Sequence, residues 1–225
     1  MMISVFTMTY KRHHLLEEAI QSFLAQNNDA CEMVVLNDNP DVDYEYSHPN
    51  VRIINHKKRF PSISAKFEWG YKQCKHNLIY RLDDDDLLAP WALENVQKDV
   101  IDNPGYEIYR SEGMYFFVNN VFQNKNSNIN NGNVYTKEFL DRIHFPDTSC
   151  GEDADITFSN DATIYESTLK STMLYRWGMG TLHVSGMGDQ PNEVILAQAD
   201  RVLNNTKGTI PLHPKFLEDY YSQLP

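Results

Sequence analysis

The sequence predicts an α/β domain built on a largely parallel sheet. Three observations carry this. Apolar, β-branched runs alternate with stretches of helical periodicity through residues 1–105. Several of those runs end in polar or acidic residues, the pattern of strand ends that face a ligand. A chain of 225 residues is also long enough for one sizeable core.

Residues 3–7 (ISVFT) are a buried strand. Residues 15–26 place Leu15, Leu16, Ala19, Ile20, Phe23 and Leu24 on one helical stripe. Residues 32–38 (EMVVLND) and 51–55 (VRIIN) are the second and third strands. A helix is expected over 62–74, with Phe67 and Tyr71 four apart, and a fourth strand over 77–82 (NLIYRL). Pro90 suits the first turn of a helix running to about Ile101, with Leu93, Val96 and Val100 on one face; NPGY (103–106) ends it.

The second half reads differently. Residues 106–122 suggest two adjoining strands. Residues 123–133 hold six Asn and no large apolar residue but Ile129, so a loop or hairpin tip is expected. A short helix over 136–143, a strand over 173–177 and an amphipathic helix over 192–205 follow. No internal repeat or domain boundary is visible, so residues 1–225 are expected to form a single domain.

A net charge of −11 disfavours a broad phosphate-binding surface. Cys31, Cys74 and Cys150 are widely spaced, which argues against a disulfide framework or a zinc site. The opening MMISVFTMTY has no basic segment before its apolar run, and nothing approaches the ~18 apolar residues of a membrane span, so a cytoplasmic protein without a transmembrane segment is expected.

The most informative stretch is RLDDDDLLAP (81–90). Four adjacent Asp disfavour helix and strand alike, yet they sit between two apolar runs. An Asp-x-Asp just past a strand presents two carboxylates on one side, here Asp83 and Asp85, with Asp84 and Asp86 facing elsewhere. Hard oxygen donors of this kind suit Mg²⁺ or Mn²⁺. Taken alone, a metal site and a solvated acidic turn are both open. TMTYKR (7–12) and NDNP (37–40) follow two other strands, and in a parallel sheet these ends share one edge.

Together these segments resemble the family 2 glycosyltransferases of the GT-A (nucleotide-diphospho-sugar transferase) fold. The opening ISVFTMTYKRHHLLEEAIQSFLAQ is similar to the family's strand, Thr-Tyr-Asn-Arg and helix; LDDDDLLAP (82–90) to its Leu-Asp-x-Asp-Asp metal motif; and GEDADI (151–156) to its Gly-Glu-Asp-x-Asp. NDNP departs from the usual Asp-Asp-Gly-Ser, with Asn37 for the first Asp and Asn39-Pro40 for Gly-Ser.

The resemblance implies a Rossmann-like, mostly parallel sheet flanked by helices, with a smaller mixed or antiparallel portion on the acceptor side. Residues 1–105 would be the nucleotide-binding half and 106–225 the acceptor-binding half. It implies a nucleotide-sugar site bordered by Thr9 and Tyr10, with Asp38 on the base, Lys66 near base or diphosphate, and Asp83 with Asp84 toward the donor. Asp85 would hold a Mn²⁺ or Mg²⁺ ion, completed by His183, and Asp153 would be the general base. The reaction implied moves a sugar from a nucleoside diphosphate, UDP most commonly, to an acceptor hydroxyl with inversion. The acceptor could be a glycan, a lipid-linked glycan, a protein or a modified nucleic-acid base.

Simpler roles stand beside these. Tyr10 could cover the core edge, Lys66 could be a solvated helix lysine, Asp153 could cap a helix, and His183 could be a core histidine. His13 and His14 diverge on a helix and read as its solvated start. Arg59 and Arg176 read as no more than surface or structural arginines. Two other functions compete. Nucleotidyl transfer usually needs a Gly-rich loop after strand one, which TMTYKRHH lacks. A non-enzymatic acidic metal-binding or interaction module would need no Asp153 and no nucleotide pocket.

Overall fold

The structure, a computed structural model, describes residues 2–27, 30–126, 132–178, 190–203 and 206–225. Strand β1 (Ile3–Thr9) is buried along its whole length, as is β2 (Glu32–Asn37). Between them α1 (His13–Leu24) buries Leu15, Leu16, Ala19, Ile20 and Phe23, the face its periodicity predicts. The chain continues through β3 (Val42–Glu45), β4 (Val51–Asn55), α2 (Ile63–Tyr71), β5 (Leu78–Arg81), β6 (Leu87–Leu88) and α3 (Ala92–Asp102). Then come β7 (Ile108–Arg110), β8 (Met114–Val118), β9 (Val121–Asn126), β10 (Val134–Thr136), α4 (Lys137–Arg142) and α5 (Glu152–Phe158). β11 (Ile164–Glu166), β12 (Met173–Trp177), α6 (Asn192–Val202) and β13 (Gly208–Pro211) complete the described elements, with a 3₁₀ turn at Tyr221–Gln223.

The main sheet has the order β11-β7-β10-β5-β1-β2-β4. β1 runs parallel to β2 and β5, and β2 to β4; only β10 runs against its neighbours. A sheet covered on both faces needs continuous apolar strands, which is why residues 3–7 and 32–36 show no alternation. Gly70 lets α2 settle on β1: a Cβ there would lie 2.0 Å from Phe6 Cζ. A second sheet, β6-β12-β8-β9, is mixed, and β13 pairs in parallel with β3.

The predicted α/β class and the smaller mixed portion are both present. Residues 106–122 form parts of three strands rather than two, because β7 joins the main sheet while β8 and β9 build the second. β9 extends to Asn126, into the Asn-rich stretch expected as a loop or hairpin tip; residues 127–131 lie outside the described residues. Pro90 precedes α3, which starts at Ala92 after Trp91. Among the described residues no helix is long and apolar enough to cross a membrane.

The last segment folds back onto α1. The buried Glu18 accepts the Leu217 N–H at 2.9 Å and the Tyr220 hydroxyl at 2.8 Å, and pairs with Arg176.

Candidate active site

Pairing sets Thr9 of β1 opposite Asn37 of β2, and Asn37 opposite Asn55 of β4. β5 lies on the other side of β1, with Arg81 opposite Phe6. The carboxyl ends of these strands therefore share one edge, where a cleft of about 220 Å³ opens.

The acidic run is a tight turn leaving β5, closed by the Asp86 N–H donating to the Asp83 carbonyl at 3.1 Å. Asp84 turns away from the other three, whereas Asp86, expected to face elsewhere, stays beside Asp83 and Asp85. Asp83 and Asp85 line the cleft. Asp84 is buried and faces Arg12, whose Nε donates to Asp84 Oδ2 at 3.2 Å and whose Nη1 donates to Asp85 Oδ2 at 2.7 Å. Asp86 accepts the backbone N–H of Arg176 at 2.9 Å, and Arg176 Nε reaches the Asp85 carbonyl at 2.5 Å. A chain accepts four adjacent Asp here because two arginines and a turn take up the repulsion. Asp84, assigned to the donor from the sequence, does not reach the cleft wall.

Charge in the turn is still incompletely offset. Burial pushes the Asp83, Asp84 and Asp86 carboxyls above their ordinary range, Asp84 to about 6; Arg81 and Arg12 oppose the shifts on Asp83 and Asp84 respectively, and neighbouring carboxylates add to all three. One carboxylate oxygen from each of Asp83, Asp85 and Asp86 lies within 4.8 Å of the others, an all-oxygen donor set that fits Mg²⁺ or Mn²⁺.

Thr9, Tyr10, Asp38 and Lys66 also line the cleft. Lys66 lies in the first turns of α2, which is capped by Ser62 accepting the Ala65 N–H at 3.1 Å. Its ammonium donates to Asp38 Oδ1 at 2.6 Å and to the Thr9 carbonyl at 2.7 Å, so it is not a solvated helix lysine. Burial lowers the Lys66 pKa, with Asp38 pulling it back up. Asp38 Oδ2 accepts the Phe60 N–H at 3.1 Å. Asn37, the departure from the usual acidic pair, ties the loop together: its Nδ2 donates to the Val42 carbonyl at 2.8 Å and to Asn55 Oδ1 at 3.0 Å.

Tyr10 carries the Arg59 guanidinium on one ring face, 3.3 Å from the ring centroid. Its hydroxyl donates to Asp200 of α6, which also accepts from Lys11 at 3.0 Å and Arg59 at 3.2 Å. α6 thereby brings Ile195, Leu196 and Ala199 to the same cleft.

Asp153 reaches the cleft from α5. The cap of that helix is Gly151, in the left-handed conformation at φ 73°, and Asp153 sits within its first turn, accepting the Ala154 N–H at 2.9 Å. Asp153 is thus not the helix cap. Glu152 beside it is buried and accepts from Arg81 Nη2 at 2.6 Å. Burial raises the Glu152 pKa, against the pull of Arg81.

His183 lies outside the described residues. Arg176 is a core residue held by Glu18 and Tyr220, whereas Arg59 stands in the cleft. Sequence reasoning assigned no site role to Arg12, Arg81 or Asp200. Arg12 ends the TMTYKR stretch and Arg81 precedes LDDDD, which could have flagged them; Asp200, on an amphipathic helix far along the chain, carries no such signal.

The sequence profile of Glycosyl transferase family 2 matches residues 4–157. No curated protein matches the chain. Among solved structures, S. aureus TarS 1–349 in complex with UDP-GlcNAc aligns with a TM-score of 0.64 and 16% identity, covering 88% of this chain and 71% of that one. The mannosyltransferase PcManGT from Pyrobaculum calidifontis, in complex with GDP-Man and Mn²⁺, aligns at 0.52 and 16% identity, covering 73% of this chain and 54% of that one. The chain spans 60% of TarS 1–349 in a further alignment and 43% of the longer TarS structure. At these identities the likeness is one of fold.

Proposed function

Because the chain belongs to glycosyl transferase family 2, an enzyme family, we propose that it transfers a sugar from a UDP-linked donor to an acceptor hydroxyl, with a divalent metal and with inversion. The observation that carries this reading is the meeting of Asp83, Asp85 and Asp153 in one cleft with Thr9, Tyr10, Asp38 and Lys66. UDP is favoured over GDP by the TarS complexes with UDP-GlcNAc and UDP; the mannosyltransferase complex holds GDP-Man.

In this reading residues 1–105 hold the donor and 106–225 present the acceptor. Thr9, Tyr10 and Asp38 border the nucleoside, with Lys66 fixing Asp38. Asp83, Asp85 and Asp86 would hold Mn²⁺ or Mg²⁺, which when bound neutralises charge on the departing diphosphate. Asp153 takes the proton of the acceptor hydroxyl as its oxygen bonds to the anomeric carbon, from the face opposite the breaking bond to the diphosphate. One positioned carboxylate and one displacement invert that carbon. The acceptor is a glycan, a lipid-linked glycan, a protein or a modified nucleic-acid base, with the charge of −11 counting against the last.

The test is to follow melting temperature with UDP-, GDP- and dTDP-sugars, with and without Mn²⁺. A donor that binds the folded state raises the midpoint by mass action. Stabilisation by a UDP-sugar that grows with Mn²⁺ is expected. Preference for another nucleotide overturns the UDP assignment, and no response to any of them overturns the reading.

A further inference from the structure

Arg81 stands between the two acidic groups of the cleft. It ends β5, its side chain is buried, and it lines the cavity. Nη2 donates to Glu152 Oε1 at 2.6 Å and lies 3.5 Å from Asp83 Oδ1. The guanidinium rests 5.5 Å from the Phe67 ring centroid. Among the described residues, Nε and Nη1 find no hydrogen-bond acceptor although both are buried. The head group is therefore oriented by the two carboxylates, not by a general polar network.

Burying such a group for stability alone is a poor bargain, because apolar residues of similar volume usually serve a core at least as well. What the guanidinium adds is a nitrogen, Nη2, held between the two carboxylates at 2.6 and 3.5 Å by a planar group, a position the flexible stem of a lysine ammonium holds less firmly. Here the two carboxylates belong to different segments. Asp83 begins the acidic turn, and Glu152 begins α5 directly before Asp153.

We propose that Arg81 is a positioning residue for glycosyl transfer: by engaging Asp83 and Glu152 together it sets the distance from Asp153 to the donor's departing diphosphate. This rests on the glycosyltransferase reading of the cleft. Arg81 itself exchanges no proton and touches no reacting atom.

The experiment compares Arg81→Lys, Arg81→Met, Glu152→Gln and the double variant Arg81→Met/Glu152→Gln in the full chain. Melting temperature, UDP affinity in Mn²⁺, and kcat and KM for whichever of the UDP-, GDP- or dTDP-sugars the wild type turns over are measured. UDP binding is expected to stay within about threefold, while kcat falls up to about 10²-fold in Arg81→Met, the scale of a small misplacement of reacting groups. Arg81→Lys recovers part of kcat. The double variant falls no further than Arg81→Met, because both changes remove one contact. If Arg81→Met does not fold, Arg81→Lys and the double variant, which leaves no unpaired Glu152, carry the comparison. A folded Arg81 variant with wild-type kcat overturns the proposal, as does a loss that follows UDP affinity or a double variant whose losses multiply. A wild type that neither binds UDP nor turns over any donor overturns the transferase reading and this proposal with it.

Discussion

The Lys66 ammonium lies 2.6 Å from Asp38 Oδ1, and the two side chains are 8% and 4% exposed. Removing one partner of such a pair leaves the other charge buried alone. Lys66→Met is expected to cost about 3–5 kcal/mol, the scale for breaking a buried ion pair. Lys66→Met combined with Asp38→Leu should recover most of that. Urea unfolding midpoints check it; a cost below about 1 kcal/mol would mean that the pair is effectively solvated.

Metal affinity should depend on pH in a defined direction. Burial raises the carboxyls of Asp83, Asp84 and Asp86 in the folded chain, Asp84 to about 6. Bound protons on Asp83 and Asp86 compete with a cation, so Mn²⁺ affinity should rise with pH across a range above the ordinary carboxylate values. The metal-free fold should show the opposite trend from Asp84: a carboxyl raised on folding adds stability that is full below the unfolded value near 3.8 and lost as pH rises through about 6. Isothermal titration of Mn²⁺ at pH 5 and 7.5, with Asp85→Asn as the control, tests the first. Equal affinity at both values would refute it.

Asp153→Asn should leave UDP binding within about twofold while transfer falls by ~10²-fold or more, the scale of losing a general base. Since Gly151 is the helix cap, the loss cannot be put down to a missing cap. Product stereochemistry by NMR is the second readout: a retained anomeric configuration would sink the single displacement.

Gly151 holds φ 73°, and nothing stands within 4 Å of a Cβ placed there. The cost of a side chain is therefore backbone strain alone. Gly151→Ala should destabilise by about 1–2 kcal/mol, and Gly151→Asn by less, because Asn tolerates the left-handed region. Since the residue starts the helix that carries Asp153, kcat should fall more than the melting temperature suggests. Equal stability of Ala and Gly variants would show that the left-handed conformation is not kept in solution.

Much of the fold was legible in local pattern. The continuous apolar runs of β1 and β2 and the stripe on α1 are periodic over enough residues to be read directly. The short strands were not: β6 has only two residues and β7, β10 and β11 three each, too few to show an alternation. They become strands because neighbouring strands offer them backbone partners.

The same division runs through the site. By itself the sequence determined that a carboxylate turn follows a buried strand, that polar residues end the other strands, and that a Glu-Asp pair comes later, because each of these lies within one short segment. Only the tertiary structure decided which Asp faces the cleft and which is taken up by Arg12, that Lys66 closes on Asp38, and that Asp200 of α6 joins Tyr10 and Arg59, which lie 190 and 141 residues before it. The physical reason is desolvation. A buried charge must find a partner wherever the folded chain brings one, and that choice is made by proximity in space, which local sequence does not encode.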